Sequence, residues 1–175
     1  LLSDDDSWKL FQHSSGWAEE ALDPEFIEVG KEIVKKCAGM PIAIKSLAGN
    51  LHGKREMKYW QSLRDCNLLT DKDIQHRVLG SLMLSYFHLS DDLKQCFVLC
   101  SIFPKGYCID KVNLISQWIT HGFINSTNAG RQLEEIGNDY FDSLLKISFL
   151  HLPSSCLTQV AGSASASIII AARGT

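Results

Sequence analysis

The chain has 175 residues, 45% of them hydrophobic and 21% charged, the balance of a soluble globular protein holding one ordinary domain or two small ones. A formal net charge of -3 gives no electrostatic reason to expect nucleic acid or an anionic membrane as partner. Six irregularly spaced cysteines do not make a secreted disulfide scaffold, and no apolar run approaches the roughly 18–20 residues that cross a bilayer.

The opening Leu1-Leu2-Ser3-Asp4-Asp5-Asp6 is acidic where a signal peptide is basic, so the expected location is the cytoplasm, with the nucleus as the alternative. The chain starts without methionine, directly against a helix start signal, which reads as truncation or processing. Ser3 and the three aspartates suit a helix macrodipole, and Trp8 and Phe11 follow three apart. Asp23-Pro24-Glu25 predicts a second helix, with Asp23 as cap and Pro24 in the first helical position. That helix is expected to bury Phe26, Ile33, Val34 and Cys37, and to stop after Lys35 and Lys36 with Gly39 as a left-handed terminator.

Pro41 restarts the chain at once, and Ile44, Leu47, Ala48 and Leu51 give the next stripe. A helix around Met57, Trp60 and Leu63 completes a small bundle over residues 1–70, and polar Thr70-Asp71-Lys72-Asp73 marks a linker, taken as 71–77. A second domain, 78–152, opens with Val78, Leu79, Leu82, Met83 and Tyr86 on one helical face. Ser90-Asp91-Asp92 caps a helix carrying Leu93, Cys96, Phe97 and Cys100, and Phe103 to Tyr107 reads as a turn. Asp110 opens a helix with Val112, Ile115, Trp118 and Ile119 that Gly122 ends. Another helix holds Leu133, Ile136, Tyr140 and Leu144, and Ile147–Leu152 reads as a short strand. The predicted class is therefore mainly α: a small helical bundle, then a winged-helix-like domain with a minor β strand or hairpin. From Pro153 to the end the serine- and alanine-rich composition predicts a tail without regular structure.

Chemistry that needs fixed spacing is missing. No Gly-x-x-x-x-Gly-Lys-Ser/Thr phosphate loop occurs, and Gly30-Lys31 and Gly53-Lys54 lack the rest of one. There is no His-Glu-x-x-His, Cys-x-x-Cys or Gly-x-Ser-x-Gly, so no catalytic residue and no metal ligand is assigned. Cys96, Cys100 and Cys108, with His88 or His121, come nearest to a zinc set, but Cys96 and Cys100 continue an apolar stripe and read as core. Asn125-Ser126-Thr127 matches a glycosylation acceptor that carries no weight without secretion. The Asp110–His121 helix, read as the one that would enter a DNA groove, offers a single basic residue, Lys111, so DNA binding is a weak alternative.

Several spaced motifs resemble one family. The run Leu84-Ser85-Tyr86, Leu89-Ser90-Asp91-Asp92-Leu93-Lys94-Gln95-Cys96-Phe97, Cys100-Ser101-Ile102-Phe103-Pro104-Lys105, Trp118 and Gly122-Phe123-Ile124 closely resembles plant NB-ARC (NBS-LRR) disease-resistance proteins of the coiled-coil class. Cys37-Ala38-Gly39-Met40-Pro41-Ile42-Ala43 resembles that family's Gly-Leu-Pro-Leu-Ala motif, and Leu2-Ser3 through Phe11 resembles the opening of its helical subdomain. The resemblance implies that 1–70 is the ARC1 subdomain and 78–152 the winged-helix ARC2 subdomain of an ADP/ATP switch in innate immunity. By motif, Pro41 would pack on adenine, Gly39, Met40 and Ile42 would shape that wall, and Ser85 would face the nucleotide.

The phosphate loop, the leucine-rich repeats and the Met-His-Asp motif are not found, and His151 stands in the wrong context to replace that histidine. The expectation is a regulatory part that is not an enzyme by itself, binding no ADP or ATP tightly alone. Its expected partners are the nucleotide-binding subdomain and repeats in cis, and other resistance proteins. A truncated paralogue acting as an interaction module or decoy is the main alternative.

Overall fold

The computed structural model describes residues 1–18, 22–104, 107–124, 130–151 and 165–168, with Cys108 and 165–168 described by backbone alone. The glycosylation triplet at Asn125 and most of the tail lie outside the described residues. The chain divides into two compact units, Leu1–His88 and Leu89–Thr175. As the composition and periodicity predict, the chain is mainly helical. Among the described residues no helix is long and apolar enough to cross a membrane.

The first unit contains α1 (Asp4–Ser15), α2 (Pro24–Lys36), α3 (Pro41–Asn50), α4 (Met57–Arg64), a 3-10 turn at Asn67–Leu69 and α5 (Ile74–Phe87). Ser3 caps α1 by accepting the Asp6 amide at 3.2 Å, and its hydroxyl in turn donates to the Asp6 carboxylate at 2.7 Å. Asp23 stands at the N-cap of α2 without a side-chain capping bond, and fixed-φ Pro24 starts the helix. Trp60 forms the centre of the core, edge-on to Phe11 and Phe26 at centroid distances of 5.9 and 5.2 Å. Gly30, which sequence alone left beside Lys31 as a stray half of a phosphate loop, lies under Trp8 and Trp60, where a Cβ would approach Trp8 to 2.9 Å.

The expected 71–77 linker is corrected at α5. Asp73 caps this helix through the Gln75 amide at 2.7 Å, so residues 74–77 form its first turn, and α5 packs inside the first unit. Its buried face matches the predicted one at Leu82, with Val78 packed against the core, and departs from it at Leu79 and Met83. Gly80, Ser81, Leu82, Leu84 and Ser85 are buried, whereas Leu79 and Met83 are 45% and 41% exposed. Gly80 explains the rotation: a Cβ there would lie 2.2 Å from the Leu68 carbonyl oxygen, so only glycine lets that backbone press against the helix.

The second unit contains α6 (Asp91–Cys100), β1 (Cys108–Asp110), α7 (Lys111–Thr120), α8 (Leu133–Lys146), β2 (Leu150–His151) and β3 (Ser165–Ile168). Ser90 caps α6 and Asp110 caps α7, each accepting an amide three residues on. Trp118 is fully buried and donates its indole N–H to the Cys96 carbonyl at 3.1 Å, tying α7 to α6. Tyr140 on α8 reaches the Asp92 carboxylate at 3.2 Å, and burial with that neighbouring charge pushes its phenol up to about 12. The strand expected over Ile147–Leu152 is shorter: Ser148 turns left-handed (φ 63°), Phe149 donates back to Leu144, and pairing starts at Leu150. β3 then pairs antiparallel with both β1 and β2, giving the order β1-β3-β2. The tail expected to lack regular structure thus supplies a strand at Ser165–Ile168. Element order α-β-α-α-β-β with the last strand central is the winged-helix arrangement the sequence predicts.

Gly137 sits where α8 meets α7, and a Cβ there would lie 2.4 Å from the Ile115 methyl branch. Gly137→Ala is expected to cost the second unit about 1–3 kcal/mol through overpacking. Urea unfolding combined with amide exchange checks this, with protection falling in α7 and α8 and holding in α1–α4.

Candidate functional site

The segment from Cys37 to Ala43 is built by a backbone reversal. Cys37 closes α2 in a right-handed conformation; Ala38 and Gly39 then take φ of 50° and 70°, and Met40 is extended at the head of α3. Ala38 holds a left-handed backbone against the preference of an L side chain, which costs roughly 1–2 kcal/mol. At Gly39 the requirement is double. Its carbonyl accepts the Leu2 amide at 2.9 Å, and a Cβ would fall 2.6 Å from the Leu2 carbonyl oxygen. The chain's first residues and the Gly39 junction, far apart in sequence, are therefore in direct contact, which helical periodicity cannot signal.

Pro41 is exposed at the first position of α3, with Met40 and Ile42 half-buried beside it. Immediately behind, Ala43, Ile44, Leu47 and Ala48 are at most 1% exposed. The result is a rigid apolar ring on the surface, at the head of a helix whose body is core. Met40 provides no side-chain cap, so the first α3 amides have no side-chain acceptor. Cys37, buried beneath, donates its thiol to the Ile33 carbonyl at 3.4 Å, and burial pushes it up to about 12.

Ser85 stands apart from that surface. It is fully buried, with its hydroxyl donating to the Ser81 carbonyl at 2.9 Å, receiving the Asn50 side-chain amide at 2.8 Å and contacting the Ser46 hydroxyl at 2.5 Å. One donor and two acceptor positions are all a serine offers, and all are filled inside the unit. In this arrangement Ser85 anchors α5 to α3 and has nothing left to offer a ribose or phosphate oxygen. Ser46 lies five residues beyond Pro41, about 7.5 Å along the helix axis. Gly39, Met40, Pro41 and Ile42 thus come together, and Ser85 supports the helix that carries them. Ser46 and Asn50 are the partners sequence reasoning missed; their spacing of four on the buried side of α3 was the available signal.

Cys96 and Cys100 are both fully buried, and Cys100 donates its thiol to the Cys96 carbonyl at 3.3 Å, as side chains of the core. Among the described residues no group of three or more His, Cys, Asp or Glu side chains is arranged for a metal ion. The groove-reading assignment is also corrected. In a helix-turn-helix the second helix enters the groove, and here that helix is α8. Glu134, Glu135, Asp139 and Asp142 on α8 are exposed, against Lys146 alone. Lys111 on α7 is already held 3.3 Å from Asp142. Neither helix presents a cationic face to phosphates.

Removing the Ser85 hydroxyl leaves the buried Ser46 hydroxyl without that partner and takes one of two acceptors from the part-buried Asn50 amide, which keeps the Ser46 carbonyl at 3.1 Å. Ser85→Ala is expected to cost about 1–3 kcal/mol. In a double-mutant cycle with Ser46→Ala, the pair should cost less than the sum of the two single changes. Strict additivity in urea titrations would show that the two hydroxyls do not act together.

Comparison with known proteins matches residues 102–164 to the winged helix domain of disease resistance proteins. The chain is 40% identical over 148 residues to disease resistance protein RGA2 of Solanum bulbocastanum, covering 85% of this chain and 15% of that protein. It is 42% identical over 148 residues to RGA1 of the same species, with the same coverage. Against RPP13-like protein 1 of Arabidopsis thaliana it is 39% identical over 153 residues, covering 85% of this chain and 14% of that protein. The chain spans about 15% of the length of these relatives.

Proposed function

The chain belongs to the plant disease-resistance protein family and carries its winged-helix domain, and from that premise we propose that it is the regulatory part of an ADP/ATP switch in plant immunity. The observation that carries this reading is the exposed Pro41 ring at the head of an otherwise buried helix. In the proposal Pro41 packs on the adenine face, while Gly39, Met40 and Ile42 shape the wall around it. Ser85 contributes by fixing α3 on α5. The phosphate groups are held by a nucleotide-binding subdomain outside these 175 residues, and the leucine-rich repeats act as a further partner in cis. Hydrolysis, slow in such a switch, likewise depends on groups this chain does not contain, so the chain alone is not an enzyme.

Isothermal calorimetry tests this directly. The 175-residue chain is expected to bind ADP no more tightly than about 1 mM, near -4 kcal/mol. In a longer protein that includes the phosphate loop, Pro41→Ala should weaken ADP about tenfold. Micromolar ADP binding by the 175 residues alone would overturn the division of labour.

A second reading, an interaction module that engages other resistance proteins, draws on one observation. Leu79, Met83 and Phe87 recur every four residues along α5 and are 45%, 41% and 58% exposed. If that stripe is a contact surface, light scattering at rising concentration should show self-association that Met83→Glu abolishes. A monomer at every concentration counts against it.

A further inference from the structure

We propose that the first unit also carries an anion site, a cavity of about 650 Å³ at the ends of α2 and α4 and the start of α5, which takes an organic phosphate with at least two negative charges. Neither Ser85 nor any of residues 39–42 lines it. Its wall holds the cations Lys35, Lys36, Arg64 and Arg77 against the carboxylates Glu32, Asp65 and Asp71.

By count the wall is nearly neutral, but the carboxylates are already engaged. Asp65 accepts two bonds from the Arg64 guanidinium, at 2.7 and 3.1 Å, which hold it below the ordinary carboxylate range. Glu32 lies 3.6 Å from the same guanidinium. Asp71 accepts the Asp73 amide at 2.9 Å and faces His76 at 3.3 Å, and it too is depressed, first by the backbone bond. Lys35, Lys36 and Arg77 remain, and among the described residues none of them has a carboxylate within ion-pair distance.

Two of these cations are held in place by backbone. Lys36 donates to the Arg64 carbonyl, and Arg77 donates one terminal N–H to the Lys36 carbonyl at 3.5 Å. The Arg77 Nε–H is buried with no partner. A buried charged donor left unpaired is costly, and a planar guanidinium fork matches phosphate geometry better than any other side chain. A polyanion in the hollow would lie against Lys35, Lys36 and the terminal nitrogens of Arg77, the cations that line it without a carboxylate partner. The hollow is open to solvent and broader than one phosphate, which suits an anion carrying two separated phosphate groups.

The test uses the whole chain at low ionic strength, with fructose 1,6-bisphosphate as probe and sulfate and an oligoglutamate peptide as comparators. The bisphosphate is expected to bind at least tenfold more tightly than sulfate and to weaken with added salt. It should shift the backbone NMR signals of Lys36, Thr70, Asp71 and Arg77. Lys35→Ala, a change on the exposed side of α2, should weaken binding several-fold with the fold intact by circular dichroism. Arg77→Lys, which keeps the charge and loses the fork, should weaken it about tenfold. Equal binding of sulfate and bisphosphate, tighter binding of the peptide, or unchanged affinity in both variants would overturn the site. Shifts at Gly39 to Ile42 in place of the cavity residues would also overturn it, and would leave the ADP reading standing.

Discussion

The first unit depends on a backbone reversal of very few residues. α2 ends and α3 begins with only Cys37, Ala38, Gly39 and Met40 between them, and both helices bury a face in one core. A right-handed continuation would carry the chain away from that core. Two successive left-handed residues turn it back, and the Gly39 carbonyl is left pointing at the Leu2 amide. Any side chain at position 39 would collide with the Leu2 backbone, so the docking of the chain's first segment and the exposure of Pro41 depend on the same missing Cβ.

The parts of this unit legible in the sequence are those where periodicity, caps and breakers agree. Ser3, the paired lysines at 35 and 36, Gly39 and Pro41 all mark boundaries that the backbone respects. α5 was misread for a definite reason. Counting apolar residues favours the face of Leu79 and Met83, because serine and glycine score as polar or neutral. The face that is buried instead carries Gly80, Ser81 and Ser85, chosen for close approach and for hydrogen bonds to α3. A helix that packs through small polar residues hides part of its buried side from hydrophobic periodicity, and its exposed Leu79 and Met83 then look like core beside Leu82, which is core.

In the second unit the aromatic and sulfur-bearing positions were legible because they pack as ordinary apolar side chains. Cys96, Cys100 and Trp118 share one buried cluster, and the indole N–H finds the Cys96 carbonyl. β3 was not legible. Ser165-Ala166-Ser167-Ile168 alternates only small residues before a single β-branched Ile168, inside a serine- and alanine-rich stretch, and what places it is backbone pairing to two short strands. The family match, which runs from residue 102 to 164, extends past Pro153 and so covers part of the segment whose composition pointed to a structureless tail.

The candidate nucleotide wall also sets an upper bound on what it does. Burying an apolar side chain of this size is worth about 1.5–3 kcal/mol, whereas micromolar affinity needs about 8 kcal/mol. Pro41 with half-buried Met40 and Ile42 can select a flat apolar ring and hold its orientation, but it cannot retain a nucleotide. Ser85 adds no direct bond, since its hydroxyl is filled by Ser81, Asn50 and Ser46. Under the proposed function, retention would have to come from charged groups acting on phosphate. In the proposed switch, a wall that meets a base without gripping it would suit the role, because such a contact could be made and released while phosphates are held by other groups.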